Sequence, residues 1–244
     1  VSKEKDIKYD LKAGFEKFYE ATGQDINVLG MHPDVYEEVS KSRYEQTIEV
    51  LNTEINFQEN MNNLTVCDIG CGPGGMLNRL DDSNIKIGMD GYDFSDKNKK
   101  NYFELPFEFH QADFDREDFA DKIGENSCDV VMSFETLEHL SNPYNFFIQI
   151  KKMLKEGGTF ILSYPRENMQ HNTFYPGLLY DDDNFAEFVK QVAFGCVHHF
   201  SVETRYGFIN LYVLRNLSWD KVKMKWPKTT PSFAGQPPHI QINL

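Results

Sequence analysis

At 244 residues, with 40% apolar and 26% charged side chains, the chain can bury a core without staples and suits one α/β domain with a small appendage. Its 38 acidic and 25 basic residues leave a formal charge of −13, which repels phosphate backbones and argues against nucleic acid as a partner, while a cationic ligand is electrostatically welcome. Cys67, Cys71, Cys128 and Cys196 form no C-x-x-C pair, the first ten residues hold no apolar signal core, and no apolar run approaches the ~20 residues of a membrane span, so a reduced, cytoplasmic protein is expected.

Residues 1–60 read as an N-terminal helical cap: Leu11, Phe15 and Phe18 recur at helical spacing. A break at 30–34 precedes a longer helix from about Val35 to Ile55, carrying Val39, Tyr44, Ile48 and Leu51. From residue 64 the texture alternates. Short apolar runs at 64–69, 85–92, 107–112, 128–134 and 158–164 are separated by helical or loop patterns, which predicts βαβ units and a parallel sheet over 61–217. A helix at 144–154 puts Phe147, Ile150 and Leu154 on one face, and Gly157-Gly158 is expected to end it. Asp181-Asp182-Asp183 supplies N-cap chemistry for a helix over 184–192. Strands at 196–206 and 208–215 close the domain around a turn near Gly207. His198 and His199, adjacent in a strand, point to opposite faces and cannot easily share a metal. The tail, 218–244, is rich in proline. Its alternating Lys221–Trp226 reads as an edge strand guarded by lysines, or as a small basic patch.

The chemistry concentrates in Val66-Cys67-Asp68-Ile69-Gly70-Cys71-Gly72-Pro73-Gly74-Gly75. A strand ends in a tight turn whose glycines let backbone approach a ligand, and a helix is expected to follow. Gly70, Gly72 and Gly75 also satisfy the G-x-G-x-x-G of dinucleotide sites. Asp68, two residues ahead, suits an ammonium group and not a diphosphate.

This stretch resembles motif I of the class I S-adenosylmethionine (SAM)-dependent methyltransferases, and the resemblance runs in order over residues 60–215. It implies a Rossmann-like, seven-stranded, mostly parallel sheet with helices on both faces, a final antiparallel hairpin and an N-terminal helical cap. It implies SAM as cofactor and S-adenosylhomocysteine (SAH) as product, cradled by Asp68, Gly70, Cys71, Gly72 and Gly75. Asp93, in an Asp-aromatic-Ser run, would hold the ribose hydroxyls, with Asp90 the competing choice, and Phe94 would lie against the adenine. Asp113, followed by Phe114, would accept from the adenine amino group. Phe134 would end the fourth strand beside the methyl donor, and Arg43 would meet the methionine carboxylate.

Methyl transfer to a hydroxyl benefits from a general base. If a helix starts near 136, Glu135, Glu138 and His139 share one face. This E-x-x-E-H pattern is similar to one in ubiquinone-pathway O-methyltransferases and small-RNA 2′-O-methyltransferases, where it can bind a divalent metal, with His171 as the further ligand to consider. Many small-molecule members carry Leu-Glu-His here without metal, and the metal-free reading is preferred. His139 and Glu135 are the catalytic candidates, though His139 could equally serve to orient a loop. The stretch after the fifth strand, with Arg166, His171, Phe174 and Tyr175, should face the acceptor. A small-molecule acceptor is expected, through an oxygen of a sugar or glycan precursor (the run from 225 to 244 faintly resembles tails of polysaccharide-associated methyltransferases) or of an aromatic. An RNA-terminal methyltransferase and a non-catalytic SAM-binding module are the alternatives.

Overall fold

The computed structural model describes residues 33–97, 104–166, 176–179, 181–204 and 207–218. The expectations for residues 1–32, His171, Phe174, Tyr175 and the tail from 219 onward lie outside these. Helix α1 (Pro33–Ile55) opens on a proline, whose missing N–H costs nothing in a first helical turn. The short α2 (Phe57–Asn60) follows across Asn56, held at φ 49°. Then come β1 (Thr65–Ile69), β2 (Ile85–Asp90), β3 (Glu108–Gln111), β4 (Cys128–Phe134), α3 (Pro143–Met153), β5 (Leu154–Pro165), α4 (Pro176–Leu179), α5 (Asp182–Gln191), β6 (Phe194–Thr204) and β7 (Gly207–Asn216).

The seven strands form one sheet in the order β3-β2-β1-β4-β5-β7-β6. The pairs among β1 to β5 are parallel, and β7 runs antiparallel between β5 and β6. Crossovers keep the first five strands parallel, whereas the tight Thr204–Gly207 hairpin reverses β7. The chain winds outward both ways from β1 and β4. The carboxyl ends of that central pair therefore open a crevice, where ligands bind in open α/β sheets.

The sheet is covered on both faces. Tyr44, Ile48 and Leu51 of α1 pack with Val66, Val130, Met132 and Ile161. On the other face α3 and α5 bury Phe146, Phe147, Ile150, Phe185 and Val189 against Cys67, Ile69, Val131, Phe160 and Leu162. Phe147 meets Phe146, Phe160, Phe185, Phe188 and Phe194 edge to face, with centroids 5.0 to 6.3 Å apart. Several of the chain's 20 phenylalanines thus build core.

Three local expectations need correction. No α-helix follows the glycine loop: residues 72–76 are turns, and Leu77–Arg79 is a single 3₁₀ turn. Positive φ at Gly70, Gly72 and Gly74, with Pro73 between them, denies the backbone a helical run. Helix α3 ends at Met153, well before the glycine pair, because Leu154 already pairs with Cys128. The register then jumps to Val130↔Thr159, so residues 155–158 loop out around Gly157, at φ 73°. The turn after β4 is 3₁₀ over Leu137–His139 and not α-helical.

Two caps match their residues. Asn142 accepts from Asn145 N at 3.1 Å ahead of Pro143 in α3, and the Asp181 side chain accepts from the N–H groups of Asp183 and Asn184 at the start of α5.

Candidate active site at the carboxyl ends of β1, β2 and β4

The glycine loop leaves β1 and is strapped at once to β2. Gly70 N and Cys71 N both donate to the Met89 carbonyl, at 2.8 and 3.0 Å. Gly72 N donates to Asp90 Oδ2 at 2.9 Å, and Tyr92 N to Asp90 Oδ1 at 2.9 Å. Asp90 is the last residue of β2, paired with Gln111 of β3, so its carboxylate reaches the loop. Asp93 stands three residues further out, where its Oδ1 accepts from Ser95 N and Ser95 Oγ. The acid at the strand end facing the glycine loop is therefore Asp90.

Asp68 is the most strongly perturbed acid here. It shares the face of Val66, lies opposite Gly88 and Met132 of the flanking strands, and is 3% exposed. Its Oδ1 has no hydrogen-bond partner among the described residues. Burial, with the nearby Asp90 charge added, pushes its carboxyl up to about 8. Such a carboxylate is stabilised by a cation. The thiol of Cys71, 3% exposed, is also pushed up by burial and by Asp90 and Asp68.

Gly70, Gly74 and Gly75 of the loop face protein. A Cβ on Gly70 would come within 2.8 Å of Thr136 Cγ2, and Gly74 and Gly75 are backed by the rings of Phe107 and Tyr44. Gly88 lacks room as well, with Phe107 Cε2 at 2.6 Å and Cys71 Sγ at 2.9 Å from its would-be Cβ.

At the end of β4, Phe134 is half-buried and Glu135 adopts φ 54°, a left-handed conformation uncommon outside glycine. That sign change takes Glu135 off any helical face shared with Glu138 and His139, correcting the E-x-x-E-H expectation. Instead Glu135 N donates to the Ser163 carbonyl at 3.1 Å, and Ser163 Oγ donates to Glu135 Oε1 at 2.8 Å. Glu138 is buried, with its Oε1 3.7 Å from Nε2 of the half-buried His139. Among the described residues no group of three His, Cys, Asp or Glu side chains is placed to hold a metal ion.

The other expected cofactor residues divide. Asp113 is half-buried just beyond β3, accepts from Asp115 N at 3.0 Å and is shifted upward chiefly by burial. Phe114 turns into the core, 5.2 Å from Phe119, and Phe94 is 3% exposed in a small cluster with Tyr92, Leu105 and Phe109. Neither ring presents an open face, and Tyr92, half-buried just beyond Asp90, stands nearer the strand end. The Arg43 side chain lies outside the described residues. The sequence reading missed Ser163, Thr136, Tyr44 as a loop contact, and Asp115. This last carboxylate holds the turn after β4 by accepting from Ser141 N, Ser141 Oγ and Asn142 N. A hydroxyl inside the apolar run 160–165 was the available signal for Ser163.

A family model described as a methyltransferase domain matches residues 40–220. The chain belongs to this family. Sterol 24-C-methyltransferase of Aspergillus fumigatus is 27% identical over 126 residues, 47% of this chain and 33% of that protein. A mitochondrial ubiquinone biosynthesis O-methyltransferase of Dictyostelium discoideum is 28% identical over 113 residues, 41% of this chain and 35% of that protein. The chain thus spans about a third of the length of these curated relatives. Magnesium protoporphyrin IX methyltransferase from Synechocystis, solved with bound SAH, has a TM-score of 0.59 at 15% identity, over 84% of this chain and 99% of that one. The methyltransferase domain uses SAM as its cofactor, and the buried, unpartnered Asp68 oxygen at the switch point fits a ligand that brings an ammonium group. No helix among the described residues is long and apolar enough to cross a membrane.

Proposed function

We propose that the chain moves the SAM methyl group to an oxygen of a small-molecule acceptor, a sugar or glycan precursor or an aromatic. The observation that carries the cofactor's position is Asp68, a buried carboxylate with a bare oxygen at the carboxyl end of the central strand. SAM, when bound, supplies an electrophilic methyl on a sulfonium. Asp68 would take its ammonium group. Asp90, in place of Asp93, would take the ribose hydroxyls, since it alone stands at the strand end beside the loop. Asp113 would meet the adenine edge, with Tyr92 in the role first given to Phe94.

Glu135 would accept the hydroxyl proton as the acceptor oxygen forms its bond to the methyl carbon and the carbon–sulfur bond breaks. Its carboxylate is oriented through the hydrogen bond that Ser163 Oγ donates to it. His139, beside the buried Glu138, would hold or relay that proton at the same rim. The small-molecule reading is supported by the −13 charge and by relatives whose names give a sterol and ubiquinone biosynthesis. Arg166 stands on the rim at the end of β5, where an acceptor would approach.

The test is SAH release with the purified protein and a panel of hydroxylated aromatics, nucleotide sugars and short RNAs. Turnover on a hydroxyl compound, lost in Glu135→Gln, is expected. Turnover on RNA alone, or SAH binding with no turnover on any acceptor or cell extract, would overturn the reading.

A further inference from the structure

Helix α1 touches the glycine loop through one ring. Tyr44 is 7% exposed and lies against Gly75, where a Cβ would sit 2.8 Å from Cζ and 2.9 Å from the hydroxyl oxygen of that ring. The guanidinium carbon of Arg79 stands 5.0 Å from the Tyr44 centroid, and Arg79 Nη1 donates to the Gly75 carbonyl. The cation therefore ties the ring, the loop and the 3₁₀ turn that carries it into one unit. No α-helix follows the loop, and Gly74 is held by two backbone bonds, its N–H donating to the Cys71 carbonyl at 3.0 Å and its carbonyl accepting from Asn78 N at 2.9 Å. Phe107 behind Gly74 and Tyr44 behind Gly75 add side-chain backing to the turn.

We propose that Tyr44, fixed by Arg79, is a positioning residue for the cofactor: its ring sets the local shape of the glycine loop on which cofactor affinity depends. Gly75 is then glycine because Tyr44 occupies the space of its side chain. This rests on the assignment of the cofactor to the glycine loop.

The experiment is calorimetric titration of SAH into the wild-type chain and into Gly75→Ala, Tyr44→Ala, Tyr44→Phe and the double variant Tyr44→Ala/Gly75→Ala. Each is measured at a temperature well below its own melting point. Leu51→Ala, two turns along α1 and fully buried away from the loop, is the control for loss of helix packing. Gly75→Ala should weaken SAH binding by about tenfold or more, and Tyr44→Ala by about three- to tenfold. Tyr44→Phe, which keeps the ring, should bind within about twofold of wild type. The double variant should bind like Tyr44→Ala alone, because the new methyl group has regained its space. Leu51→Ala should melt earlier with its SAH affinity unchanged. A double variant as weak as Gly75→Ala, or an equal affinity loss in Leu51→Ala and Tyr44→Ala, would overturn the proposal. Wild-type protein that binds no SAH would overturn the cofactor assignment and this proposal with it.

Discussion

Asp68 makes cofactor binding a proton-linked event. In the free protein its carboxyl is pushed up to about 8, so at neutral pH the native state mostly holds this proton, which an unfolded chain would have released. The sign follows from the raised value. Between about pH 4 and pH 8 the native state binds more protons than the unfolded state, and stability falls as pH rises through that window. Four pKa units at about 1.4 kcal/mol each put the cost near 6 kcal/mol once Asp68 is fully ionised. An ammonium group delivered to Oδ1 opposes that cost and lowers the pKa, so binding at pH 7 expels close to one proton. SAH affinity should then rise with pH, by up to about tenfold per unit, and level off above about pH 8. Titrating SAH in two buffers of different ionisation enthalpy counts the protons directly. Asp68→Asn should bind SAH more weakly, release no proton and lose the pH dependence. It should also melt higher than wild type at pH 8 without ligand, since the penalty is gone. A wild-type proton count near zero, or a count unchanged in Asp68→Asn, would refute the reasoning.

Ser163→Ala should leave SAH affinity unchanged but cut turnover about tenfold on whichever acceptor the panel identifies, through loss of one charge-assisted hydrogen bond, with Ser163→Thr restoring part of it. Steady-state kinetics with SAH detection reads both. Asp115→Ala removes the acceptor of three bonds from Ser141 and Asn142 and should cost about 2–3 kcal/mol, lowering the melting temperature by about 5–10 °C in a scanning calorimeter. Phe147→Ala opens a cavity where five rings meet and should cost about 3–5 kcal/mol by urea unfolding, with the m-value unchanged.

Local pattern was enough for much of the architecture. Short apolar runs foretold the five parallel strands, and strands read at 196–206 and 208–215 foretold the closing pair, with most ends within a residue or two and β5 the exception. Asp181 marked the start of α5, and the glycine loop with Asp68 two residues ahead of it marked the carboxyl end of β1. Those features reside in neighbouring residues, so periodicity and cap chemistry expose them.

The site's inner contacts were decided elsewhere. Asp93 drew the ribose role because an Asp-aromatic-Ser run is visible in sequence. Which acid faces the loop depends on where β2 stops, and that is set by pairing of Met89 with Ile69 and of Asp90 with Gln111. Glu135, Glu138 and His139 share a face only if the backbone after β4 is helical. The positive φ of Glu135, held by Ser163 from the next strand, removes that premise. Gly75 reads as a gap left for a ligand until Tyr44, 31 positions earlier, is seen filling it. In each case the deciding partner lies on another element. Only the register and packing of the folded sheet bring the two together, and no periodicity within one segment encodes that meeting.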